Sequence, residues 1–489
     1  MRSIVFIVFL AYVGVLFLVS WLSSRKANNS TYFTGNRKSP WFVVAYGMIG
    51  ASLSGVTFMS VPGDVATTQF TYFGVVLGYI LGYLTIIYVL LPLYYKLNLT
   101  SIYEYLGQRF GNEAHKTGSL LFIISRLLGS ALRMYLVIFV LQVFVFDAWG
   151  IPIWLTSIVM IIIILLYTFK GGLKTVVWMD MFQTTFMIAA LVLTIVFILQ
   201  DMQVSVSQVW GQIQSAGYTK MFETDWTAHN YFLKQIFGGM FITITMTGLD
   251  QDMMQKNLSC KTLKDSQRNM FSFTGILVIV NALFLLLGGM LLIYVQSKGI
   301  DISGMATDRI YPEVAFNYLG ITASIVFVMG VIAAGFSSAD GTFTALTTSV
   351  CYDLLNIEKR FESEKRRMWV RRIVHTVIAI LFLAIIIIFA NYHNDALIRI
   401  IFKVAGYTYG PILGLFAFGL YTKREMIYPI LIPILSVVVP TLCYILAKIT
   451  PKYLGGYVFG FEMVIVIGIL VFLSLLLFSK KKTKITDIK

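Results

Sequence analysis

Charge is scarce in this chain. Only 12% of its 489 residues are Asp, Glu, Lys or Arg, whereas 58% are hydrophobic. Soluble globular domains carry about 25% charged residues, so this composition excludes an ordinary soluble protein. It also leaves no stretch from which a separate soluble domain could be built.

Cysteine and histidine are rarer still, with three and four residues. Cys260, Cys351 and Cys443 are spaced neither as a disulfide framework nor as a metal site, and no acidic or cysteine partner stands near a histidine at metal-ligand spacing. The chain has no phosphate-binding glycine motif and no Ser-His-Asp set. We therefore expect no enzyme activity and no organic cofactor.

Long apolar runs are what the chain does have. A bilayer-spanning helix needs ~20 predominantly apolar residues, and the sequence predicts an all-α polytopic membrane protein with a single domain over residues 1–489. Thirteen candidate spans lie at 3–23, 42–66, 72–95, 118–146, 152–169, 176–200, 232–254, 272–296, 313–352, 372–391, 396–420, 427–447 and 457–479.

Basic residues set the expected orientation. If the N-terminus is outside, the loops alternate, and Lys234 and Arg372 at span ends are counted with the adjoining loops, inside segments hold 27 of the 38 Lys and Arg, outside segments hold 7, and 4 lie within spans. Positive charge on the inner side is the usual bias of membrane proteins. We expect a multi-pass integral membrane protein whose N-terminus is outside and whose C-terminal tail, at 480–489, is cytoplasmic. The net charge of +15 then indicates contact with anionic lipid, not nucleic acid.

Two of the apolar stretches carry small polar residues in mid-span, at 50–55 (GASLSG) and 333–341 (AAGFSSADG). A weakened helix at that depth survives only where protein or a water-filled cavity covers it. Discontinuous helices with ion sites near the midplane are typical of secondary transporters. Close packing of small residues between helices is the alternative interpretation.

Four ordered motifs resemble the sodium:solute symporter family, which includes sodium/proline, sodium/sugar and sodium/sialic acid transporters. They are GASLSGVTFMSVPG at 50–63, PLYYKLNLTSIYEYLGQRFG at 92–111, GGLKTVVWMDMFQ at 171–183 and DQDMMQKNLSCK at 250–261. The resemblance implies a leucine-transporter-type inverted repeat of five helices, spans 2–6 and 7–11. The repeats would occupy 42–200 and 232–420, after an extra helix at 1–23 and before extra helices at 427–479. In such a repeat the first helix of each half is the broken one, and span 7 is indeed polar around 247–251.

The resemblance also implies a first sodium site. Its ligands would be carbonyls and hydroxyls of five residues: Gly50, Leu53, Ala334, Ser337 and Ser338. Neutral oxygens hold a cation firmly enough to bind it and weakly enough to release it. Sodium would be a co-transported ion.

Asp180 is a carboxylate at the start of span 6, and an ionisable residue inside a span is a functional hypothesis by default. In some family members this aspartate and two serines hold a second sodium, but here Asp340 and Gly341 replace the serines. Asp180 and Asp340 could bind a second cation, share a proton or form a structural pair, and Asp180 could instead pair with Lys174.

Arg133, in the middle of span 4, is the best indication of the substrate. Its planar fork suits a carboxylate, and a matching arginine grips the substrate carboxylate in the sialic acid branch. The alternative is a structural partner such as Asp147, Asp180 or a helix-end carbonyl. Further predicted pocket residues are Ser52, Ser54, Thr57, Phe58 and Gln251.

These patterns predict a sodium-coupled symporter that imports a small polar, carboxylated solute, sialic acid-like or a monocarboxylate, and that works as a monomer in membrane lipid. A sodium/sugar or proline-like sodium/amino acid symporter is the alternative within the family. A membrane sensor and a passive channel are alternatives of another class. The short tail after residue 479 argues against the sensor.

Overall fold

The computed structural model describes residues 2–25, 27–392, 395–453, 457 and 459–481. Nearly all of them are helical, and the predicted basic tail lies outside the described residues from 482 onward. The helices are α1 (Arg2–Ser24), α2 (Asn29–Thr34), α3 (Trp41–Ser52), α4 (Gly55–Thr68), α5 (Phe73–Thr85), α6 (Leu91–Lys96), α7 (Glu104–Phe110), α8 (Asn112–Leu141), α9 (Ile153–Thr168), α10 (Leu173–Met202), α11 (Val206–Ser215), α12 (Phe232–Thr243), α13 (Gln251–Leu258), α14 (Leu263–Lys298), α15 (Thr307–Asn317), α16 (Gly320–Ser349), α17 (Ile357–Arg360), α18 (Glu364–Tyr392), α19 (Asp395–Tyr421), α20 (Leu431–Tyr453) and α21 (Met463–Leu477).

Short segments extend or connect these helices. Strands β1 (Arg424–Met426) and β2 (Ser479–Lys481) pair antiparallel, with Arg424 opposite Lys481. A single π-helical turn directly follows each of the helices α5, α8, α12 and α16, at Ile86–Leu90, Gln142–Phe146, Ile244–Gly248 and Val350–Leu354. Turns of 3₁₀ helix lie at Gly35–Arg37 and Asp147–Trp149. Such π turns are often found where a helix serves a function.

Each of the thirteen predicted spans coincides with a helix or a helix pair. Among the described residues, eight helices are long and apolar enough to cross a membrane, and two bent pairs raise the number to ten. The apolar helices α9 and α21 are shorter than a full crossing. The polytopic class is therefore confirmed, while the number thirteen stays a prediction.

The first bent pair is α3 and α4, whose axes differ by 55°. Leu53 leaves the helical conformation at ψ 87°, and Ser54 is extended at ψ 163°. The Ser54 hydroxyl then accepts the Thr57 N–H at 3.3 Å and so caps α4. Because the last carbonyls of a helix have no partner within it, this break frees backbone oxygens beside residue 50.

The second bent pair is α12 and α13, at 64°. Asp250 is the N-cap of α13, and its carboxylate accepts the Met253 N–H at 3.2 Å. The break follows the Gly248 end of a π turn. The prediction that span 7 is interrupted like span 2 is confirmed.

The expectation of a weakened helix at 333–341 is wrong. Helix α16 runs without interruption through this stretch, and every residue from Phe327 to Ser349 is buried. Just beyond this stretch, Thr342 Oγ1 bonds back to the Ser338 carbonyl at 2.8 Å. The small residues let neighbouring helices, among them α3, α8, α9, α10 and α13, pack closely around α16, which is the packing alternative.

Candidate functional site

The predicted first sodium site lies where α3, α10 and α16 meet. The Gly50 N–H donates to Thr184 Oγ1 at 3.0 Å. A Cβ on Gly50 would lie 2.5 Å from that oxygen and 3.3 Å from Ser337 Oγ. Only glycine therefore fits at position 50, and the end of α3 approaches Ser337 as the sodium prediction requires.

Oxygen donors suited to sodium gather at this point. The Ser337 hydroxyl donates to Asp180 Oδ1 at 2.5 Å, and Ser338 Oγ is buried with no hydrogen-bond partner among the described residues. A buried hydroxyl without a partner is costly, and a coordinated cation would satisfy it. Leu53 stands at the break, while Ala334 lies within the continuous helix one turn before Ser338. The Ala334 carbonyl would thus bind sodium while it also accepts its hydrogen bond within the helix.

Next to Ser337 lies a buried chain of charged side chains. Lys256 Nζ is 2.9 Å from Asp180 Oδ2 and 3.4 Å from Asp252 Oδ1. The ammonium of Lys256 and the carboxylate of Asp180 are close enough for an ion pair, but they are not aligned for a hydrogen bond. Asp252 pairs in turn with the Arg126 guanidinium. Asp180 therefore pairs with Lys256, and the Lys174 alternative is wrong.

The chain continues from α8 to α19. Arg126 Nη1 lies 3.5 Å from Asp250 Oδ2, and the Tyr409 hydroxyl donates to the same oxygen at 2.6 Å. The side chains of Arg126, Asp250, Asp252 and Lys256 are at most 6% exposed. Charges taken out of water persist only when they are well paired, so the paired groups hold α8, α10, α13 and α19 in register.

Asp340 lies on the same helix as Ser337 and Ser338. The Tyr167 hydroxyl donates to its Oδ2 at 3.0 Å, while its Oδ1 is buried without a hydrogen-bond partner among the described residues. Asp340 interacts electrostatically with Asp180 and with Lys256, although the ion pairs of Lys256 within 4.0 Å are to Asp180 and Asp252. The two carboxylates predicted to act together therefore belong to one electrostatic cluster, in which the ammonium pairs with Asp180.

A cavity of about 540 Å³ opens on the other side of this charge chain. Its wall mixes charged, polar and aromatic side chains, among them Arg126, Ser130, Arg133, Gln235, Thr245, Tyr407, Tyr409, Phe461 and Glu462. Such a wall fits a small polar solute, since a few placed polar groups among apolar ones give a ligand site its orientation and specificity.

Arg133 reaches this cavity without a carboxylate partner. Within the described part of the chain, no carboxylate oxygen lies within 4.0 Å of its guanidinium. Asp147 accepts instead from Gln142 Nε2 at 2.6 Å, and Asp180 is taken by Lys256. Both aspartates named as structural partners are therefore engaged elsewhere.

The other five predicted pocket residues do not line the cavity. Ser54 caps α4, Thr57 Oγ1 lies 3.2 Å from its hydroxyl, and Ser52 lies near Tyr83. Phe58 is fully buried against three aromatic rings at centroid distances of 5.4–6.0 Å. Gln251 receives the Ile102 N–H and donates to the Thr100 carbonyl, both at 2.9 Å. Their roles toward a solute stay predictions.

Sequence reasoning missed Thr184, Tyr409 and the contact of Lys256 with Asp180. Thr184 lies four residues after Asp180, hence on the same helix face, and that spacing could have indicated it. Lys256 follows Asp252 by the same spacing, so the pairing of these two residues could be predicted from the sequence. Its contact with Asp180 could not, because the two residues lie in distant segments of the chain. Nothing in the sequence singles out Tyr409.

The fold and this arrangement of sites define a multi-pass membrane transporter. The model of the sodium:solute symporter family matches residues 32–427, and the chain belongs to that family. It is 24% identical to the sodium/sialic acid symporter SiaT of Proteus mirabilis over 427 residues, 85% of this chain and 84% of that protein. It is 22% identical to the sodium/sialic acid symporter NanT of Aliivibrio fischeri, over 95% and 92%.

The zebrafish (Danio rerio) sodium-coupled monocarboxylate transporter 2 is 26% identical over 83% of this chain and 65% of its own length. Among solved structures, an outward-open, substrate-bound Na⁺-coupled sialic acid symporter superimposes with a TM-score of 0.83 at 22% identity, covering 98% of this chain and 99% of that one. The nucleobase-cation-symport-1 transporter Mhp1 gives 0.55 at 13% identity, covering 93% and 94%. The predicted all-α transporter fold is confirmed.

Proposed function

We propose that this protein is a sodium-coupled symporter that imports a small polar solute with a carboxylate group. The observation that carries the proposal is Arg133, a cavity-lining guanidinium with no carboxylate within 4.0 Å among the described residues. Arginine binds a carboxylate through two parallel hydrogen bonds. The names of the similar symporters, for sialic acid and for monocarboxylates, point to acids as well.

The co-transported sodium binds at the junction of α3 and α16. Carbonyls of Gly50, Leu53 and Ala334 and hydroxyls of Ser337 and Ser338 are its proposed ligands. The Ser337 oxygen has lone pairs for a cation while its hydrogen goes to Asp180. A carboxylate that accepts a ligand's hydrogen makes that ligand more basic. Asp180 therefore strengthens the site through Ser337, without touching the sodium itself.

The charge chain connects the two sites. From the cavity it runs through Arg126 to Asp252, then through Lys256 to Asp180, whose carboxylate holds the sodium ligand Ser337. A solute that draws α8 toward itself shifts Arg126 and the ion pairs that follow it. Sodium bound at Ser337 restrains the same chain of ion pairs at its opposite end. Each ligand then favours the binding of the other, as reciprocal coupling requires.

The cavity reaches the side of the membrane from which solute would enter. Lys234 at the start of α12 and Glu462 before α21 both line it. The distribution of basic residues assigns these helix ends to the outer side. The cavity can therefore receive solute from outside, and an inward sodium gradient drives import. The proposed protein works as a monomer in the bacterial inner membrane, N-terminus out and C-terminus in, in contact with anionic lipid.

Uptake into proteoliposomes made with the purified full-length chain tests the proposal. A sialic acid, lactate, glucose and proline are offered with an inward sodium gradient and, in parallel, an inward potassium gradient. Sodium-dependent accumulation of an acid is expected. Equal uptake in potassium would contradict sodium coupling, and preference for glucose over every acid would favour the sugar alternative.

A further inference from the structure

Lys256 occupies the position of a cation among carboxylates. Its Nζ lies 2.9 Å from Asp180 Oδ2 and 3.4 Å from Asp252 Oδ1, and it also interacts electrostatically with Asp340. The side chain is 1% exposed. An ammonium at this depth persists because carboxylates surround it, since an isolated buried charge is very costly.

Both oxygens of Asp180 are engaged. Oδ1 accepts the Ser337 hydroxyl at 2.5 Å, and Oδ2 faces Lys256 Nζ. A free cation bridging Asp180 and Asp340 would have to displace the ammonium or sit beside it. Neighbouring like charges repel strongly away from water, so the lysine and a second sodium exclude each other.

Gly341 provides the room for this lysine and for its partner Asp252. A Cβ at that position would lie 2.8 Å from Lys256 Nζ and closer still to Asp252 Oδ1, nearer than a methyl group can approach. A side chain there would therefore clash with the Asp252–Lys256 pair. Glycine at 341 fits this pair, and it offers no hydroxyl to a second sodium.

We propose that Lys256 is a built-in cation that pairs with Asp180, in the electrostatic reach of Asp340, and so takes the place of a second sodium that these carboxylates would otherwise hold; one sodium then accompanies each solute. This inference rests on the proposed sodium coupling and assigns its stoichiometry. The second-sodium prediction from the sequence is the competing outcome.

Counting bound sodium tests the inference. ²²Na⁺ binding to the purified full-length protein is measured by scintillation proximity at saturating sodium, with choline chloride keeping the ionic strength constant. Wild type is expected to bind one sodium per chain. Lys256→Ala, which removes the ammonium and leaves its space, is expected to bind two. Lys256→Arg keeps the charge and should stay at one.

Two further variants sharpen the comparison. Lys298→Ala is the matched control, because Lys298 Nζ also pairs with an aspartate, Asp201 at 2.7 Å, but both side chains are 40% exposed. It should bind one sodium. If Lys256→Ala does not remain monodisperse, the double variant Lys256→Ala with Asp252→Asn also removes the carboxylate charge that has lost its lysine, and it should also bind two.

The outcomes separate the two proposals. Two sodium ions per wild-type chain would overturn the built-in cation and leave sodium coupling standing. A well-folded Lys256→Ala or double variant that still binds one would overturn it too, because the carboxylates would then not form a cation site. No bound sodium in wild type would instead refute the proposed sodium symport.

Discussion

Replacing Arg133 by lysine tests the carboxylate assignment most directly. Lysine keeps the positive charge and most of the length of the side chain. It loses the planar fork that makes two parallel hydrogen bonds to one carboxylate. Because no carboxylate of the described chain lies within 4.0 Å of Arg133, the substitution breaks no internal ion pair, and the protein should fold normally.

The expected loss is about one charge-assisted hydrogen bond. Such a bond contributes about 1.5–3 kcal/mol, which corresponds to a roughly tenfold to hundredfold rise in the dissociation constant for the acid. Arg133→Ala should cost more, since it also removes the charge. The sodium affinity measured without solute should change little, because Arg133 is not among the groups around Ser337.

Solute-dependent thermal shift in sodium, followed by uptake in proteoliposomes, measures the effect. The control is Arg309→Lys, since Arg309 is exposed and lies outside the cavity lining. It should leave affinity unchanged. The amide of the same acid should bind wild type about as weakly as the acid binds Arg133→Ala. If wild type carried the amide as well as the acid, Arg133 would not be the carboxylate ligand.

Three other substitutions probe the sodium side of the mechanism. Ser337→Ala with Ser338→Ala removes both proposed hydroxyl ligands, so sodium-driven uptake should collapse while the protein still inserts; unchanged sodium affinity in binding assays would remove these ligands from the site. Thr184→Val leaves the Gly50 N–H without its acceptor, which should lower stability by about 1–3 kcal/mol and weaken sodium binding; a thermal denaturation curve identical to wild type would contradict this. Asp180→Asn leaves the buried Lys256 with one ion-pair partner fewer, and losing one member of a buried pair costs about 3–5 kcal/mol; a denaturation midpoint equal to that of wild type would show that Asp252 alone suffices for Lys256.

Hydropathy and local polarity were enough to predict the helical class and the two bends. At 50–55 and 247–251, glycines lie beside residues that cap the following helix, so neighbouring residues in the sequence decide where the helix breaks. At 333–341 the same composition gives a continuous helix, because neighbouring helices pack against it on several sides. Small residues permit both outcomes, and only the neighbours decide between them.

The site was predictable where a single residue type dictates the chemistry. Arg133 stood out because an arginine in mid-span must face a cavity or a partner, and the structure places it in a cavity wall. The partner of Asp180 could not be read in the same way. Lys174 is nearer in sequence, but the lysine that reaches Asp180 lies 2.9 Å away on α13, and the approach of α10 to α13 is a property of the whole fold.

The bend between α12 and α13 explains how a charge network can transmit motion. Asp250 caps the first turn of α13 and also faces Arg126 and Tyr409. Any displacement of α8 or α19 therefore acts on the very residue that fixes where α13 begins. Lys256 lies on the second turn of that helix, so its ammonium moves with the cap. Since Lys256 holds Asp180, and Asp180 holds Ser337, closure of the cavity around a solute and ordering of the sodium ligands are expected to occur together.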